Sequence, residues 1–393
     1  MTDFNIKETD KAYIAGTYNR FPVELTHGKG SVVFDNSGKS YIDMGSGIGV
    51  TSFGFCDDEW KEAVTEQLSK LQHTSNLYYT EPCARLAEIL CKRTGMKKVF
   101  FSNSGAEANE CAIKAARKYA AKTKGEDYYT IITLENSFHG RTLTTLAATG
   151  QEHYHELYQP LTPGFVHTPA NDLEKLKKIC KESKPAAIMI ECIQGEGGVI
   201  PLNEDFVKGA YELANKEDII FIVDEVQTGN GRTGKLYAYM NYHITPDVVT
   251  TAKGLGGGLP IGAALLGEKL TDIFEFGDHG STYGGNPVCC AGGISVINRI
   301  DDALLLEVTE KSKYIFSELS GSAGIESVCG MGLMIGIKTK RPASEIVKEC
   351  IQEGVLCLTA KDKVRLLPAL NIDFEDLKKA ISIIKAVCAK GVN

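Results

Sequence analysis

The sequence lacks the patterns of membrane, secreted and nucleic-acid-binding proteins. No stretch approaches 18 uninterrupted apolar residues, so no transmembrane helix is predicted. The N-terminal letters MTDFNIKETD lack the charged-then-apolar design of a secretory signal. Basic residues form no long run, and the net charge is −7 with a pI of about 5.7, so no nucleic-acid partner is expected. We expect a cytoplasmic protein.

Metal-binding and disulfide patterns are also missing. The twelve cysteines include no C-x-x-C pair and form no regular framework, and a chain of 393 residues does not need covalent cross-links. The eight histidines include no H-E-x-x-H pair. We therefore expect no metal site, and thiols that stay reduced.

The alternation of strand and helix patterns predicts an α/β fold. Short apolar runs at 99–102, 130–134, 186–191, 219–224 and 247–252 alternate with helical patterns at 106–122, 173–181 and 204–215. This order favours a large domain with a mostly parallel sheet between helices. Beyond residue 290, helical patterns flank short strands, which indicates a smaller α+β domain. The predicted division is 1–45 as a segment joining the small domain, 46–290 as the large domain and 291–393 as the small one.

Each of the five predicted strands is followed by a loop with unusual residues. These loops contain SNSGAEA, ENSFHGR, ECIQGEGG, DEVQTG and AKGLGGG. Because ligands bind at the carboxyl ends of parallel strands, one shared site is predicted there.

Three residue groups in these loops have both a structural and a functional interpretation. Ser104 and Glu107 form a capping box, and Gly105–Ala106 would let backbone N–H groups approach a phosphate. Asp224 lies at the end of an apolar run. It is either a helix cap or a solvated acid, or it binds a cofactor ring, a ribose or a metal. Lys253 is either a surface charge or a buried amine whose lowered pKa makes it a nucleophile.

Two nucleotide-binding patterns are incomplete. A G-x-x-x-x-G-K match runs from Gly229 to Lys235, but Leu236 follows where a P-loop requires Ser or Thr. The glycines from Gly45 to Gly49 lack the third glycine of a dinucleotide-binding fingerprint. Both nucleotide classes are disfavoured.

Taken together, the loops resemble those of class III (ω-) aminotransferases of fold type I. The resemblance extends from about Tyr18 to Arg365 and rests on NSGAEANECAIKAARKY, SFHGRTLTTLAATG, IQGEGGV, DEVQTGNGRTG, AKGLGGGLPIGA and GDHGSTYGGNP. The segments HTSNLYYTEP and RFPVEL are most similar to the branch that acts on acetylornithine.

The resemblance implies pyridoxal 5′-phosphate as cofactor. Lys253 would carry it covalently and later move a proton, and Asp224 would keep its ring nitrogen protonated so that the ring withdraws electrons. Gln227 would bond the ring hydroxyl and Phe138 would stack on the ring. The implied cofactor-binding residues are Ser104, Gly105, Ala106, Phe138, Asp224, Glu225, Val226, Gln227, Lys253 and Thr282.

The resemblance also implies how two substrates share the site. Arg365 would take the α-carboxylate of glutamate and Arg141 its γ-carboxylate, while Glu196 would pair with Arg365 when the ω-amine donor is bound. Ser281 and Thr282 match positions that reach the phosphate of a neighbouring subunit, which implies a homodimer with shared sites. The implied substrate-binding residues are Tyr18, Arg141, Glu196, Ser281 and Arg365.

The implied reaction moves the ω-amino group of N-acetylornithine to 2-oxoglutarate, giving N-acetylglutamate semialdehyde and glutamate in arginine biosynthesis. Alternatives are another donor (ornithine, succinylornithine, 4-aminobutyrate or an acylated lysine), an aminomutase on the same scaffold, or an inactive binding protein. The sequence departs from the family pattern at Cys192, where relatives usually have proline, and at Phe55–Cys56–Asp57–Asp58, where they usually have HxHP. The second departure puts the substrate in question.

Overall fold

The N-terminal segment of the computed structural model, which describes residues 4–391, contains a helix and three antiparallel strands. These are α1 (Ile6–Tyr13), β1 (Leu25–Lys29), β2 (Val32–Asp35) and β3 (Ser40–Asp43). The third strand also pairs in parallel with a strand near the C-terminus, Val355–Leu356. This pairing supports the proposed grouping of the N-terminal segment with the small domain.

The middle of the chain alternates helices with strands. Its helices are α2 (Ser46–Gly49), α3 (Asp58–Lys70), α4 (Glu81–Thr94), α5 (Gly105–Thr123), α6 (Leu143–Ala148), α7 (Leu173–Glu182), α8 (Glu204–Lys216) and α9 (Pro287–Arg299). Its strands are β4 (Lys98–Ser102), β5 (Thr130–Leu134), β6 (Phe165–Thr168), β7 (Pro185–Ile190), β8 (Ile193–Gln194), β9 (Ile200–Pro201), β10 (Ile220–Asp224), β11 (Val248–Thr251) and β12 (Gly262–Leu266).

Seven of these strands form one sheet, in the order β4-β12-β11-β10-β7-β5-β6. Neighbouring strands from β11 to β6 pair in parallel, whereas β12 is antiparallel to both β11 and β4. Every residue of β5, β7, β10, β11 and β12 is buried, as expected for a sheet covered on both faces. The expected α/β fold with a mostly parallel sheet is confirmed.

Two strands of this sheet were not predicted from the sequence. Strand β12 contains only Gly, Ala and Leu, which have low β propensity, and it forms because its neighbours pair with it on both edges and bury it completely. Strand β6 is a short edge strand with only one buried residue, so it lacks the apolar signal of the central strands.

The C-terminal part mixes helices with a four-stranded antiparallel sheet of order β13-β14-β17-β16. Its elements are α10 (Asp302–Leu319), β13 (Ile325–Met331), β14 (Met334–Thr339), α11 (Ala343–Gln352), β15 (Val355–Leu356), β16 (Leu358–Ala360), β17 (Lys363–Leu366) and α12 (Phe374–Ala389). The domain boundary expected at residue 290 falls inside α9, a continuous helix, so we propose the end of α9 as the boundary. Among residues 4–391, no helix has the length and apolar character needed to cross a membrane.

A buried arginine joins the middle of the chain to its C-terminal part. Arg232 is 3% exposed, and its Nη1 donates to the backbone oxygens of Leu333, at 3.4 Å, and Pro368. Burial lowers the pKa of Arg232 to about 10, against the opposing effect of the Asp43 charge, so the guanidinium stays protonated at neutral pH.

Replacing this cation with an apolar side chain of similar length should destabilise the protein. Arg232→Met leaves the two carbonyl oxygens without their donor and Asp43 without its nearby cation, so we expect a loss of about 3 kcal/mol in the free energy of unfolding. Urea denaturation measures this change. Lys235→Met, at a nearby exposed position, serves as the control and should cost less than about 0.5 kcal/mol. Equal stability of the two variants would contradict the bridging role.

Candidate active site

A cavity of about 470 Å³ lies at the carboxyl ends of the strands of the large sheet. The segments that follow β4, β5, β7, β10 and β11 meet there, as the sequence predicted for one shared site. The wall includes Val50, Asn103, Ser104, Gly105, Ala106, Asn109, Phe138, His139, Gly140, Arg141, Glu191, Glu196, Asp224, Val226, Gln227, Ala252, Lys253 and Gly258–Ile261.

Lys253 lies in a short turn directly after β11. Its φ of +45° is in the left-handed region, which is unfavourable for a residue with a side chain and marks a constrained site. Burial lowers the pKa of the Lys253 amine, although the charges of Glu196 and Asp224 act in the opposite direction. A larger fraction of the amine is therefore neutral and nucleophilic.

Asp224 ends β10 and is 4% exposed. Its Oδ2 accepts hydrogen bonds from Asn109 Nδ2 and His139 Nδ1, both at 2.8 Å, and its Oδ1 accepts one from the Val226 backbone N–H at 3.0 Å. Burial acts to lower the pKa of His139, but the bond to Asp224 and the charge of that carboxylate raise it on balance. The carboxylate is thus fixed in one orientation beside the cavity.

The helix that begins at Gly105 has its N-terminus on the cavity wall. The Ser104 half of the predicted capping box is present, because Ser104 Oγ accepts from the Glu107 N–H at 3.2 Å, whereas Glu107 Oε2 accepts from the Asn103 N–H, at 2.7 Å, in place of the Ser104 N–H. A Cβ on Gly105 would lie 2.6 Å from Val226 Cγ1, so only glycine fits there. The first-turn N–H groups of a helix lack intrahelical acceptors, which suits an anion such as a phosphate.

An ion pair between buried Arg365 and partly buried Glu196 lies beside Lys253. Arg365 is 3% exposed, and its Nη1 donates to Glu196 Oε1 at 2.6 Å and to Gln227 Oε1 at 3.1 Å. Gln227 Nε2 in turn donates to Glu196 Oε1 at 3.3 Å. Burial acts to raise the pKa of Glu196, but the charge and hydrogen bond of Arg365 lower it overall, so this carboxylate is ionised at neutral pH.

Arg141 lies at the mouth of the cavity, where it is exposed. Its guanidinium is 4.1 Å from the ring centre of Tyr154 and 5.6 Å from that of Phe138. The ring of Phe138 meets that of Tyr154 edge to face at 5.8 Å. The three side chains form one cluster of cation–π and edge-to-face contacts beside the entrance.

Five residues predicted for the site do not line the cavity of their own chain, and one of them, Arg365, contacts its wall through the bonds to Glu196 and Gln227. Glu225 is fully buried with its carboxylate turned away, accepting from Thr228 Oγ1 at 2.6 Å and from the Tyr239 N–H at 2.8 Å. Successive side chains at a strand end point to opposite sides, which explains why Asp224 faces the cavity and Glu225 does not. The other three are Tyr18, which is 73% exposed, Thr282, which is exposed, and Ser281, whose Oγ accepts from Asn103 Nδ2 at 3.2 Å.

Sequence reasoning did not assign Asn109, His139 and Glu191 to the site. Asn109 lies four residues after Gly105 and therefore on the same face of α5, so helical spacing could have indicated it. His139 follows Phe138 directly, and only the fold shows that it reaches Asp224. Glu191 stands directly before Cys192 in the ECIQGEGG loop, and no local pattern assigns it to the site.

The two departures from the family pattern lie outside the wall of the main cavity. Cys192 is fully buried in the hydrophobic core. Asp57 caps α3 by accepting from the Trp60 N–H at 2.9 Å, and it pairs with Arg299 Nη1 at 2.8 Å. The segment from Phe55 to Asp57 lines a separate cavity of about 150 Å³ that shares Gly258 with the main one.

These features fit pyridoxal phosphate. The site combines a buried, weakly basic lysine with a fixed carboxylate for a ring nitrogen, an aromatic side chain for a ring face and a helix N-terminus for a phosphate. The seven-stranded sheet and this site define the class of pyridoxal-phosphate-dependent enzymes of fold type I.

Comparison with known proteins identifies the family within that class. Residues 13–388 match the model of the family described as "Aminotransferase class-III", so the chain belongs to the class III aminotransferases and is a pyridoxal-phosphate-dependent transaminase. An acetylornithine aminotransferase of Haemophilus ducreyi is 48% identical over 99% of this chain and 100% of its own, and one of Methanocaldococcus jannaschii is 43% identical over 98% of each chain.

Solved structures agree with this assignment. The N-acetylornithine aminotransferase of Stenotrophomonas maltophilia has a TM-score of 0.84 at 34% identity and covers 97% of this chain and 98% of its own. The ornithine aminotransferase of Toxoplasma gondii ME49 has a TM-score of 0.94 at 28% identity and covers 98% of this chain and 96% of its own.

Proposed function

We propose that the protein transfers the ω-amino group of N-acetylornithine to 2-oxoglutarate, giving N-acetylglutamate semialdehyde and glutamate in arginine biosynthesis. The observation that carries the proposal is the Arg365–Glu196 pair beside Lys253, which suits a site that alternates between two amines with differently placed carboxylates. The relatives named acetylornithine aminotransferases support this donor. Ornithine is the second candidate, because the T. gondii ornithine aminotransferase has the same fold.

The side chains of the cavity divide the chemical work. When bound, pyridoxal phosphate supplies a ring that accepts electrons from the carbon bearing the amine. Lys253 would hold this group and then move the proton between the substrate carbon and the cofactor. Asp224 would keep the ring nitrogen protonated, while Phe138 and Val226 would contact the ring. Gln227 would bond the ring hydroxyl, and Ser104, Gly105 and Ala106 would hold the phosphate.

The arginines would distinguish the two substrates. Glutamate carries two carboxylates, and planar guanidinium groups bind carboxylates bidentately, so Arg365 would take the α-carboxylate and Arg141 the other. The carboxylate of the ω-amine donor lies far from its reacting amine and would reach only Arg141. Arg365 would then keep Glu196 as its counter-ion, because an unpaired buried cation is unfavourable.

We further propose that the active unit is a homodimer with shared sites. An apolar face beside the Ser281–Thr282 loop includes Leu77, Tyr78 and Tyr79, which are 88%, 70% and 106% exposed. Asn76 joins this face to the loop by donating to the backbone oxygens of Ser281 and Gly284, both at 2.9 Å. Contiguous exposed apolar side chains mark interaction surfaces, and a second copy covering this face would receive Thr282 near its phosphate site. Ser281 and the exposed Tyr18 would complete the partner's substrate site.

We propose a cytoplasmic location for this enzyme. All twelve cysteines lie within the described residues and all are free thiols, which fits a reducing compartment.

The role of Lys253 is tested by Lys253→Ala. Without the amine the cofactor cannot be held covalently, so the variant should lose the visible absorption band of the lysine-bound cofactor and all measurable turnover, while its far-ultraviolet circular dichroism stays unchanged. Lys235→Ala removes an exposed lysine and should keep both band and activity. Turnover by Lys253→Ala at the wild-type rate would refute the proposed chemistry.

The two-substrate arrangement is tested by measuring the half-reactions separately with glutamate and N-acetylornithine. Arg365→Ala should slow the glutamate half-reaction at least about 100-fold more than the N-acetylornithine half-reaction. The α-carboxylate of glutamate would lose a charged partner that contributes about 3 kcal/mol. Glu196→Ala should favour glutamate relative to N-acetylornithine, and Arg141→Ala should slow both. If Arg365→Ala slowed both half-reactions equally and Glu196→Ala had no effect, the proposed two-substrate arrangement would be contradicted. Replacing N-acetylornithine with ornithine, succinylornithine or 4-aminobutyrate tests which ω-amine the enzyme uses as its donor.

The shared site is tested by mixing two inactive chains, Lys253→Ala and Thr282→Val. In a hybrid dimer, the chain that keeps Lys253 receives an intact Thr282 from its partner, so one of its two sites is complete. Random exchange should restore roughly a quarter of the wild-type activity. If Thr282 serves only its own chain, no activity returns even though exchange is demonstrated by subunit labelling.

A further inference from the structure

Glu191 is a buried carboxylate in the cavity wall to which the proposed chemistry gives no part. It directly follows β7 and is 6% exposed. Its Oε2 accepts the backbone N–H of Phe138 at 2.9 Å, and its Oε1 accepts the backbone N–H of Gly195 at 3.2 Å. Each oxygen therefore binds a different loop.

Both loops carry side chains that act in the cavity. The first contains Phe138, proposed for the ring face, and Arg141, proposed for a substrate carboxylate. The second contains Gly195 followed by Glu196, the counter-ion of Arg365. The Glu191 side chain thus connects the loop of Phe138, proposed to contact the cofactor ring, with the loop of Glu196, proposed to respond to the bound substrate.

We propose that Glu191 is a positioning residue that holds these two loops in a fixed relation, so that the location of Phe138 and the movement of Glu196 depend on each other. The proposal rests on the proposed function for the roles of Phe138 and Glu196. Its structural part, the joining of two loops by one carboxylate, follows from the two hydrogen bonds alone.

The chemistry of the two bonds explains why a carboxylate occupies this position. The two backbone N–H donors lie at different oxygens of the side chain, and an ionised glutamate offers both oxygens as acceptors. Glutamine offers one oxygen and would place an NH₂ group against the second N–H, leaving a buried donor without a partner. Burial raises the pKa of Glu191 to about 7, against the lowering effect of His139 and of the two N–H bonds, so the ionised form that accepts both N–H groups predominates above this pH.

Glu191→Gln tests the proposal, with Asp43→Asn as the matched control. Asp43 is also a buried carboxylate that accepts two backbone N–H groups, those of Gly45 at 2.8 Å and Ser46 at 3.1 Å, but it lies outside the cavity wall. Because Asp43 Oδ1 accepts both of these N–H groups, Asp43→Asn can keep both bonds and should lose less stability in thermal unfolding than Glu191→Gln. Hydrogen exchange of the cofactor-free protein measures the two loops directly.

Glu191→Gln keeps one acceptor oxygen, so one of the two backbone amides, that of Phe138 or that of Gly195, should exchange about tenfold faster, the equivalent of about 1.4 kcal/mol for the lost bond, whereas Glu191→Ala should accelerate both. Asp43→Asn should leave these two amides within twofold of wild type. Unchanged exchange at either amide in Glu191→Ala, or the same acceleration in Asp43→Asn, would overturn the joining role.

The consequence for the site is measured on the holoenzyme. Glu191→Gln should weaken the visible circular dichroism of the bound cofactor and change the ratio of the glutamate and N-acetylornithine half-reactions at least fivefold, whereas Asp43→Asn should change neither. An unchanged ratio in Glu191→Gln would overturn the coupling. If wild-type protein performed neither half-reaction, the proposed function would fail, and the amide exchange would still decide whether Glu191 joins the loops.

Discussion

The buried carboxylate of Asp224 is the constraint on which the site depends. An anion that is 4% exposed persists only with hydrogen-bond donors around it, and here they come from Asn109, His139 and the Val226 backbone. These donors belong to α5, to the loop after β5 and to the loop after β10. Satisfying one charge therefore fixes the helix N-terminus that faces the phosphate position and the loop that carries Phe138. If this carboxylate were mobile, neither the helix N-terminus nor the loop that carries Phe138 would be fixed.

The other charges of the cavity are arranged around a weakly basic amine. The charges of Arg365 and Glu196 compensate each other, and burial raises the pKa of Glu191 to about 7, so that this group is only partly ionised at neutral pH. Burial lowers the pKa of Lys253 although the charge of Glu196 raises it, and the positive charge of Arg365 acts in the same direction as burial. The same buried arginine that suits a carboxylate thus also helps to keep the lysine nucleophilic. Substrate recognition and amine reactivity are consequently linked through one guanidinium.

The sequence predicted those parts of the molecule whose signals are local. Apolar runs located β5 and β10, and the glycines and acids after them located the cavity, because strand ends in a parallel sheet meet at one edge. It missed β12, whose composition favours a helix and whose strand form comes from pairing on both edges. It also assigned Glu225 to the cavity, although alternation at the strand end turns that side chain into the core. Such choices depend on contacts between residues distant in the chain, which no local pattern contains.

The geometry of the Arg365–Glu196 ion pair depends on the glycines of the loop around Glu196 as well as on the charged residues. Gln227 bridges Arg365 and Glu196, and a Cβ on Gly195 would lie 2.4 Å from Gln227 Oε1. Any larger residue at 195 would displace this amide and with it the bond that aligns Glu196. A Cβ on Gly197 would lie 2.5 Å from the backbone oxygen of Asn136, so the loop is closely packed on both sides of Glu196. The glycines of this loop therefore do more than permit turns, because they let the backbone approach closely enough for the Gln227 amide to bind both members of a partly buried ion pair.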